Sequence, residues 1–332
     1  MKILVTGGAG FMGSAFIRHV LKEHADDLVV NLDKLTYAGN LDNLKEVEKN
    51  ERYKFIKGDV ADEKVVNAVV ADQIDVIINY AAETHVDRSI LNPRDFIMTD
   101  IVGTYNLLEA AKKYKVARYI QISTDEVFGS TETKFIEESK FDPSSPYSAS
   151  KAGADLLCAA YAKTYQLPVV VTHSCNNYGP NHYPEKLIPL AVTNILEGKK
   201  VPIYGDGQQV REWIYVEDHA RAIDMLARKE GVDSVYNIGT GEEVTNLQLV
   251  KRLLELLAKD EKSIEFVKDR PAHDKRYALD SSRLREFGFK PKVGLDRGLD
   301  MTVKWYQDNK EWWNKIKSGE YLDYYKKQYL ER

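Results

Sequence analysis

The 332-residue sequence predicts an α/β protein built on a doubly wound parallel sheet, with a smaller region C-terminal to it. Three observations carry that reading. Short apolar, β-branched runs alternate with segments of helical spacing through at least five units. The first run passes straight into a glycine-rich turn and a helix. Beyond Pro180 the alternation gives way to prolines, tyrosines and short elements.

Composition narrows the class. Hydrophobic residues make up 43% and charged residues 30%, ordinary for a soluble globular chain. The net charge is −4 and there is no basic block, so nothing points to nucleic acid. Two cysteines, Cys158 and Cys175, lie in apolar contexts without metal-type spacing and read as core thiols. The opening Met1-Lys-Ile-Leu-Val-Thr-Gly reads as a buried strand, its apolar run too short for a signal peptide. No apolar stretch approaches the ~20 residues of a membrane span. A reduced, cytoplasmic enzyme with neither nucleic-acid nor membrane partners is expected.

Taken in order, Lys2 to Thr6 forms the first strand, and Gly7-Gly-Ala-Gly10-Phe-Met-Gly13 follows it. These glycines permit a tight turn, close backbone approach to a pyrophosphate and close helix packing. The helix from Ser14 to Glu23 would add backbone N–H groups and its positive dipole end. A second strand begins at Leu28 and ends at Asp33. An acidic residue there accepts hydrogen bonds from a ribose 2′-OH and repels a 2′-phosphate, so NAD is preferred to NADP. Tyr53 to Val60 reads as the third strand, with Asp59 either meeting an adenine or simply closing a turn. A helix from Glu63 to Ala71 precedes a continuous apolar strand, Asp75 to Ala82, as a sheet covered on both faces requires. Ala81 and Ala82 leave room for a cofactor beside the backbone. His85, in the polar turn that follows, would by itself be an ordinary loop residue. Helices from Asp95 to Lys113 and from Ser148 to Tyr165 present apolar faces that serve either a dimer or the core.

The chemistry concentrates between Ile122 and Lys151. Tyr119-Ile-Gln-Ile-Ser is a strand whose end carries Asp125 and Glu126, where open α/β sheets place reactive groups. Pro146 opens a helix that Ser144 or Ser145 can cap. Tyr147 and Lys151 are four apart, one above the other on that helix. An ammonium beside a phenol lowers its pKa and makes it a usable base. Pro168 to His173 forms a further strand, and Asn176-Asn177-Tyr-Gly-Pro can hydrogen-bond a polyhydroxyl ligand. Arg211, Arg270 and Arg276 could pair with a diphosphate, which guanidinium matches bidentately, although each alone reads more readily as a surface charge. Residues 1–179 are assigned to the nucleotide and 180–332 mainly to substrate, with strands near 212–218 and 235–239 able to rejoin the sheet. The segment from Met301 to Arg332 looks like an exposed helix with an apolar stripe.

Assembled, these motifs resemble the extended short-chain dehydrogenase/reductase (NAD-dependent epimerase/dehydratase) family, and within it the nucleotide-sugar 4,6-dehydratases. The resemblance spans nearly the whole chain. Its most specific pieces are Leu32-Asp-Lys-Leu-Thr-Tyr-Ala-Gly-Asn-Leu, Ala82-Glu-Thr-His-Val-Asp-Arg-Ser, Ser123-Thr-Asp-Glu-Val-Phe-Gly, Pro184-Glu-Lys-Leu-Ile-Pro and Arg211-Glu-Trp-Ile-Tyr-Val-Glu-Asp-His. Asn176-Asn-Tyr-Gly-Pro and Arg270-Pro-Ala-His-Asp-Lys-Arg-Tyr add a sixth and a seventh.

The resemblance implies a Rossmann fold and tightly held NAD that is regenerated each turnover. NAD would lie against Gly7, Gly10, Phe11, Met12, Gly13, Asp33, Lys34, Thr36, Asp59, Val60, Ala81, Ala82, Tyr147 and Lys151. Tyr147, activated by Lys151, would take the 4-hydroxyl proton with Thr124 nearby, while C4 gives its hydride to NAD. Glu126 would then remove the C5 proton, and Asp125 would protonate the departing 6-hydroxyl. The implied substrate is dTDP-glucose, held by His85, Ser123, Asn176, Asn177, Lys186, Leu187, Tyr204, Arg211, Asn246 and His273. His173, Asn181-His182-Tyr183 and Ala272 depart from the expected pattern. They leave the nucleotide base and the sugar 2-substituent open, with UDP-N-acetylglucosamine as the rival substrate. A 4-epimerase on the same scaffold would need no acid–base pair at C5 and C6. A homodimer through the two apolar helices is also implied.

Overall fold

A computed structural model describes residues 1–269, 273–318, 321 and 325–326. The expectations for Arg270 and Ala272, and for most of the chain beyond Ser318, lie outside these residues. Six strands come first: β1 (Lys2–Thr6), β2 (Leu28–Asp33), β3 (Tyr53–Lys57), β4 (Val76–Asn79), β5 (Arg118–Thr124) and β6 (Val169–Ser174). Then follow β7 (Asn176–Tyr178), β8 (Val201–Tyr204), β9 (Val210–Tyr215), β10 (Val235–Ile238), β11 (Glu243–Thr245) and β12 (Ile264–Val267). Among the described residues, one seven-stranded sheet runs β10-β6-β5-β4-β1-β2-β3, with every pairing parallel.

Side-chain alternation fills both faces. Ile3 and Val5 enter one core with Phe16 and Ile78, while Leu4 enters the other with Leu32 and Leu108. The strand order turns at β1, which lies between β2 and β4. A ligand crevice is expected outside the carboxyl ends of the strands at such a reversal. Gly7, Asp33 and Ala81 all stand there.

A second body of structure covers that end. β7 and β11 flank β9, and β12 pairs with β8. Tyr178, Trp213, Tyr215, Leu249, Tyr306 and Trp313 form its core. The strand expected near 212–218 is β9, and it pairs in this small sheet rather than in the large one. The chain then returns: the helix Val216–Arg228 packs against the helix Phe11–Glu23, and β10 joins β6.

Two further elements differ from expectation. The helix expected from Asp95 starts at Pro93, and Ile97–Val102 winds as a π-helix within it. That wider turn carries Asp100, fully buried, whose carboxylate accepts from the Glu83 N–H and the Ser150 hydroxyl. The C-terminal segment is not simply exposed. Helices Leu295–Asp308 and Lys310–Ile316 bury Val303, Tyr306 and Trp313, and the Trp312 indole donates to Asn43.

Candidate active site

The glycine turn after β1 is sterically compulsory. Gly7 has φ +66°, and a Cβ there would lie 2.7 Å from the Ala81 nitrogen. A Cβ on Gly13 would lie 2.5 Å from the Gly7 carbonyl oxygen. At the end of β2, the Asp33 carboxylate accepts from the Ala9 N–H (2.9 Å) and the Leu35 N–H (2.7 Å). Burial pushes its pKa up, and the two amides hold it partly down. Lys34 pairs with Asp59 at 2.7 Å. These residues line a cavity of about 320 Å³ with Gly10, Phe11, Met12, Thr36, Val60, Ala81 and Ala82.

The catalytic candidates come from two helix starts. Thr124 ends β5, and its hydroxyl accepts from the Glu126 N–H, capping the 3-10 turn Asp125–Phe128. Ser145, not Ser144, caps the helix Pro146–Tyr165 in a reciprocal capping box with Ser148. Thr124, Asp125, Glu126, Tyr147 and Lys151 all line the first cavity. Glu126 and Tyr147 also line a second cavity of about 170 Å³, as do Asn176, Lys186, Leu187 and Trp213. The two cavities therefore meet at Glu126 and Tyr147.

Electrostatics separate the carboxylates. Asp125 is 2% exposed, and burial followed by the neighbouring Glu126 charge raises its pKa well above the usual range. Its Oδ2 is buried without a hydrogen-bond partner, a geometry that suits a protonated acid facing a ligand. The expected Tyr147–Lys151 coupling differs in this structure. The Lys151 ammonium donates to the Ile122 carbonyl at 2.6 Å. Burial, then Glu126 and Asp100, push the Tyr147 phenol up, and the Thr124 hydrogen bond opposes them. On the opposite wall Glu83 is raised to about 7 by burial and by Asp100. Asp100 is itself raised to about 6, mainly by burial.

The second cavity gathers His85, Asn176, Lys186, Leu187, Tyr204, Arg211, Asn246 and His273. Arg211 is buried, its guanidinium 4.1 Å above the Tyr277 ring, and it donates to the Val210 and Asp274 carbonyls. His273 Nδ1 lies 2.6 Å from Asp269, and the Tyr204 hydroxyl donates to Asp87 at 3.4 Å. Lys186 donates to Thr84 at 3.2 Å.

The GDP-mannose 4,6 dehydratase family profile matches residues 4–302. The chain belongs to this family. It is 48% identical to a dTDP-glucose 4,6-dehydratase of Escherichia coli, covering 97% of this chain and 98% of that protein. A dTDP-glucose 4,6-dehydratase from Streptomyces venezuelae, crystallised with NAD and dTDP, superposes with a TM-score of 0.92. It is 46% identical, over 95% of this chain and all of that one. A UDP-glucuronic acid 4-epimerase from Bacillus cereus, in complex with UDP-glucuronic acid and NAD, reaches 0.88 at 30% identity, over 93% and 99% of the two chains.

Against the family motifs, several expected positions fall elsewhere. Ser123 and Asn177 line the first cavity and not the second. The Ser123 hydroxyl donates to Asp155 at 2.6 Å, and the Asn177 amide to Ser174 and Cys175. Arg276 lines neither cavity, because it forms a bidentate pair with Glu243 at 2.7 and 2.9 Å. His173 is core, packed on Phe128 with Asp155 beside it at 3.3 Å. Asn181, His182 and Tyr183 line the first cavity only, with His182 stacked on Phe11 at 4.1 Å. They do not touch the sugar-side cavity whose specificity they were expected to question. Trp213 and Tyr277 escaped selection although both lie inside quoted motifs. Glu83 also lies in a quoted motif, whereas nothing local marks Asp100, whose carboxylate joins Glu83 to Ser150 only through the tertiary fold.

Proposed function

We propose that the chain is an NAD-dependent lyase that converts dTDP-glucose to dTDP-4-keto-6-deoxyglucose and water. The observation that carries this reading is the buried acid Asp125 beside Glu126 and Tyr147, where the two cavities join. The first cavity fits a dinucleotide. Side chains on the glycine turn would collide with backbone, and a buried carboxylate ends β2. Gly7, Gly10, Gly13 and Asp33 would hold NAD with Lys34, Thr36, Asp59, Val60, Ala81, Ala82 and Lys151. When bound, oxidised NAD would supply a positive charge in the cavity, an acceptor for the C4 hydride and a donor of hydride to C6.

Tyr147, ionised once the bound cofactor's positive charge adds to that of Lys151, would take the proton of the 4-hydroxyl, with Thr124 positioning the oxygen. The resulting 4-ketone acidifies C5, and Glu126 removes that proton. Asp125, kept protonated by its surroundings, gives its proton to the 6-hydroxyl, which leaves as water. Glu126, protonated by the elimination, returns a proton to C5 as C6 is reduced. Arg211, Lys186, Asn246 and His273 receive the nucleotide diphosphate, Tyr204 stands near the base, and His85 and Asn176 face the sugar.

The substrate region is 180–332 less the return through 216–239. Exposed Leu91, Ile97, Met98, Tyr105, Leu156 and Tyr165 on or beside the two long helices support a homodimer through a helix bundle. Sedimentation as a monomer at micromolar concentration would remove that part. No helix among the described residues is long and apolar enough to cross a membrane. Two buried free thiols support a cytoplasmic place.

The deciding assay is turnover of dTDP-glucose beside UDP-N-acetylglucosamine, with product mass read for loss of one water. Turnover of dTDP-glucose is expected. Turnover of the acetamido sugar alone would reassign the substrate, and a product of unchanged mass would replace the lyase with an epimerase.

A further inference from the structure

We propose that His19, His24 and Asp224 form a binding site for a borderline transition-metal cation, of which Zn²⁺ is the type. The ion would tie the helix Phe11–Glu23 to the helix Val216–Arg228. None of the three residues lines either cavity.

The donor set converges already. His19 Nε2 lies 3.3 Å and His24 Nε2 2.8 Å from the same oxygen, Asp224 Oδ2. All three ligand atoms lie within 4.8 Å of one another. A tetrahedral zinc about 2.0–2.1 Å from each ligand needs ligand atoms roughly 3.3 Å apart. The His19–Asp224 pair meets that spacing, the His24–Asp224 pair is 2.8 Å apart, and the two imidazoles lie within 4.8 Å. Two imidazoles and one carboxylate, with water in the fourth position, is a common zinc set. The side chains are 17%, 28% and 12% exposed, which leaves an open side for ion and water.

Surrounding bonds hold the carboxylate in the required orientation. The Arg228 Nε donates to Asp224 Oδ1 at 2.6 Å and leaves Oδ2 to the rings. The His24 backbone is pinned at both ends: its N–H donates to Val20, and its carbonyl accepts from Arg52 at 2.6 Å. Charge tempers the affinity. Arg228 also donates to Asp27, which pairs in turn with the N-terminal ammonium. With neutral imidazoles two carboxylates, Asp224 and Asp27, stand against three cations, Arg228, Arg52 and the N-terminal ammonium, so the ion meets no excess negative charge. Micromolar rather than nanomolar binding follows.

The test uses the full chain, stripped with a chelator and titrated with Zn²⁺ by calorimetry. One equivalent should bind with a dissociation constant on the order of micromolar, and about 100 µM zinc should raise Tm. His19→Gln with His24→Gln should weaken binding at least about tenfold and abolish the Tm rise, with dehydratase turnover unchanged. His24→Gln alone serves as a second variant should the double fold poorly. The proposal is overturned if no equivalent binds below about 100 µM. It is equally overturned if both variants bind as tightly as the parent, which would assign the zinc to other histidines.

Discussion

The two cavities share a wall but are built differently. The dinucleotide cavity is organised around backbone features, a glycine turn, two alanines and helix and strand ends, close to strands of the large sheet. The sugar-side cavity is made of side chains brought from residue 85 to residue 277, several of them already paired with one another. Backbone sites announce themselves through residue types that no other geometry tolerates. Side-chain sites depend on which partners the fold finally delivers. The junction belongs to both, and there Tyr147, Glu126 and Asp125 do the proposed chemistry.

The largest expected effect lies at that junction. Tyr147→Phe should lower kcat by about 10²–10⁴-fold, the usual worth of a positioned acid–base group, with no reduced cofactor formed. Glu126→Gln should lose a comparable factor but still permit C4 oxidation, so absorbance of bound reduced cofactor rises on mixing with substrate. Equal absorbance in the two variants would dissolve the division of labour between the phenol and the carboxylate.

Next comes the sugar side alone. Arg211→Lys keeps the charge but loses the planar stacking on Tyr277 and the fork that reaches two carbonyls. KM for the sugar nucleotide should rise about tenfold, with the cofactor content of the purified protein unchanged. A fall in cofactor content would show that the two cavities are not separable at this residue.

That separation explains what was legible. Gly7, Gly13 and Asp33 sit on consecutive strand–turn units, so spacing alone located the first cavity. The parallel sheet followed from alternation of runs. Arg276 misled because an exposed-looking guanidinium in a family motif gives no sign that Glu243 will claim it. β9 misled in the same way: its apolar pattern suits any buried strand, and only pairing with β7 and β11 decides its sheet. Asn181-His182-Tyr183 were legible as unusual but not as cofactor-side, because the loop turns back over Phe11.

His182 gives a smaller effect and tests that placement. Its ring stacks on Phe11 with planes 12° apart, and its Nδ1 is buried without a hydrogen-bond partner. His182→Ala should open the dinucleotide cavity from outside and cut the NAD retained after gel filtration by a few-fold. KM for the sugar nucleotide should hold. The opposite pattern, with retained NAD and altered KM, would return residues 181–183 to the specificity wall.

The smallest effect is a pH dependence confined to the cofactor side. Glu83 is raised from 4.5 to about 7, first by burial and then by Asp100, whose carboxylate accepts the Glu83 N–H. Between those two values the folded chain binds a proton that the unfolded chain has released. Stability from this group is therefore complete below about 4.5 and is lost as pH rises through about 7. Glu83→Gln cannot ionise and escapes the loss. The Tm of the cofactor-free variant should gain on the parent as pH climbs through that window and stay level above it. A flat difference would mean that the Glu83 charge is already solvated, and that the carboxylate wall of the cofactor cavity is as open to water as its mouth.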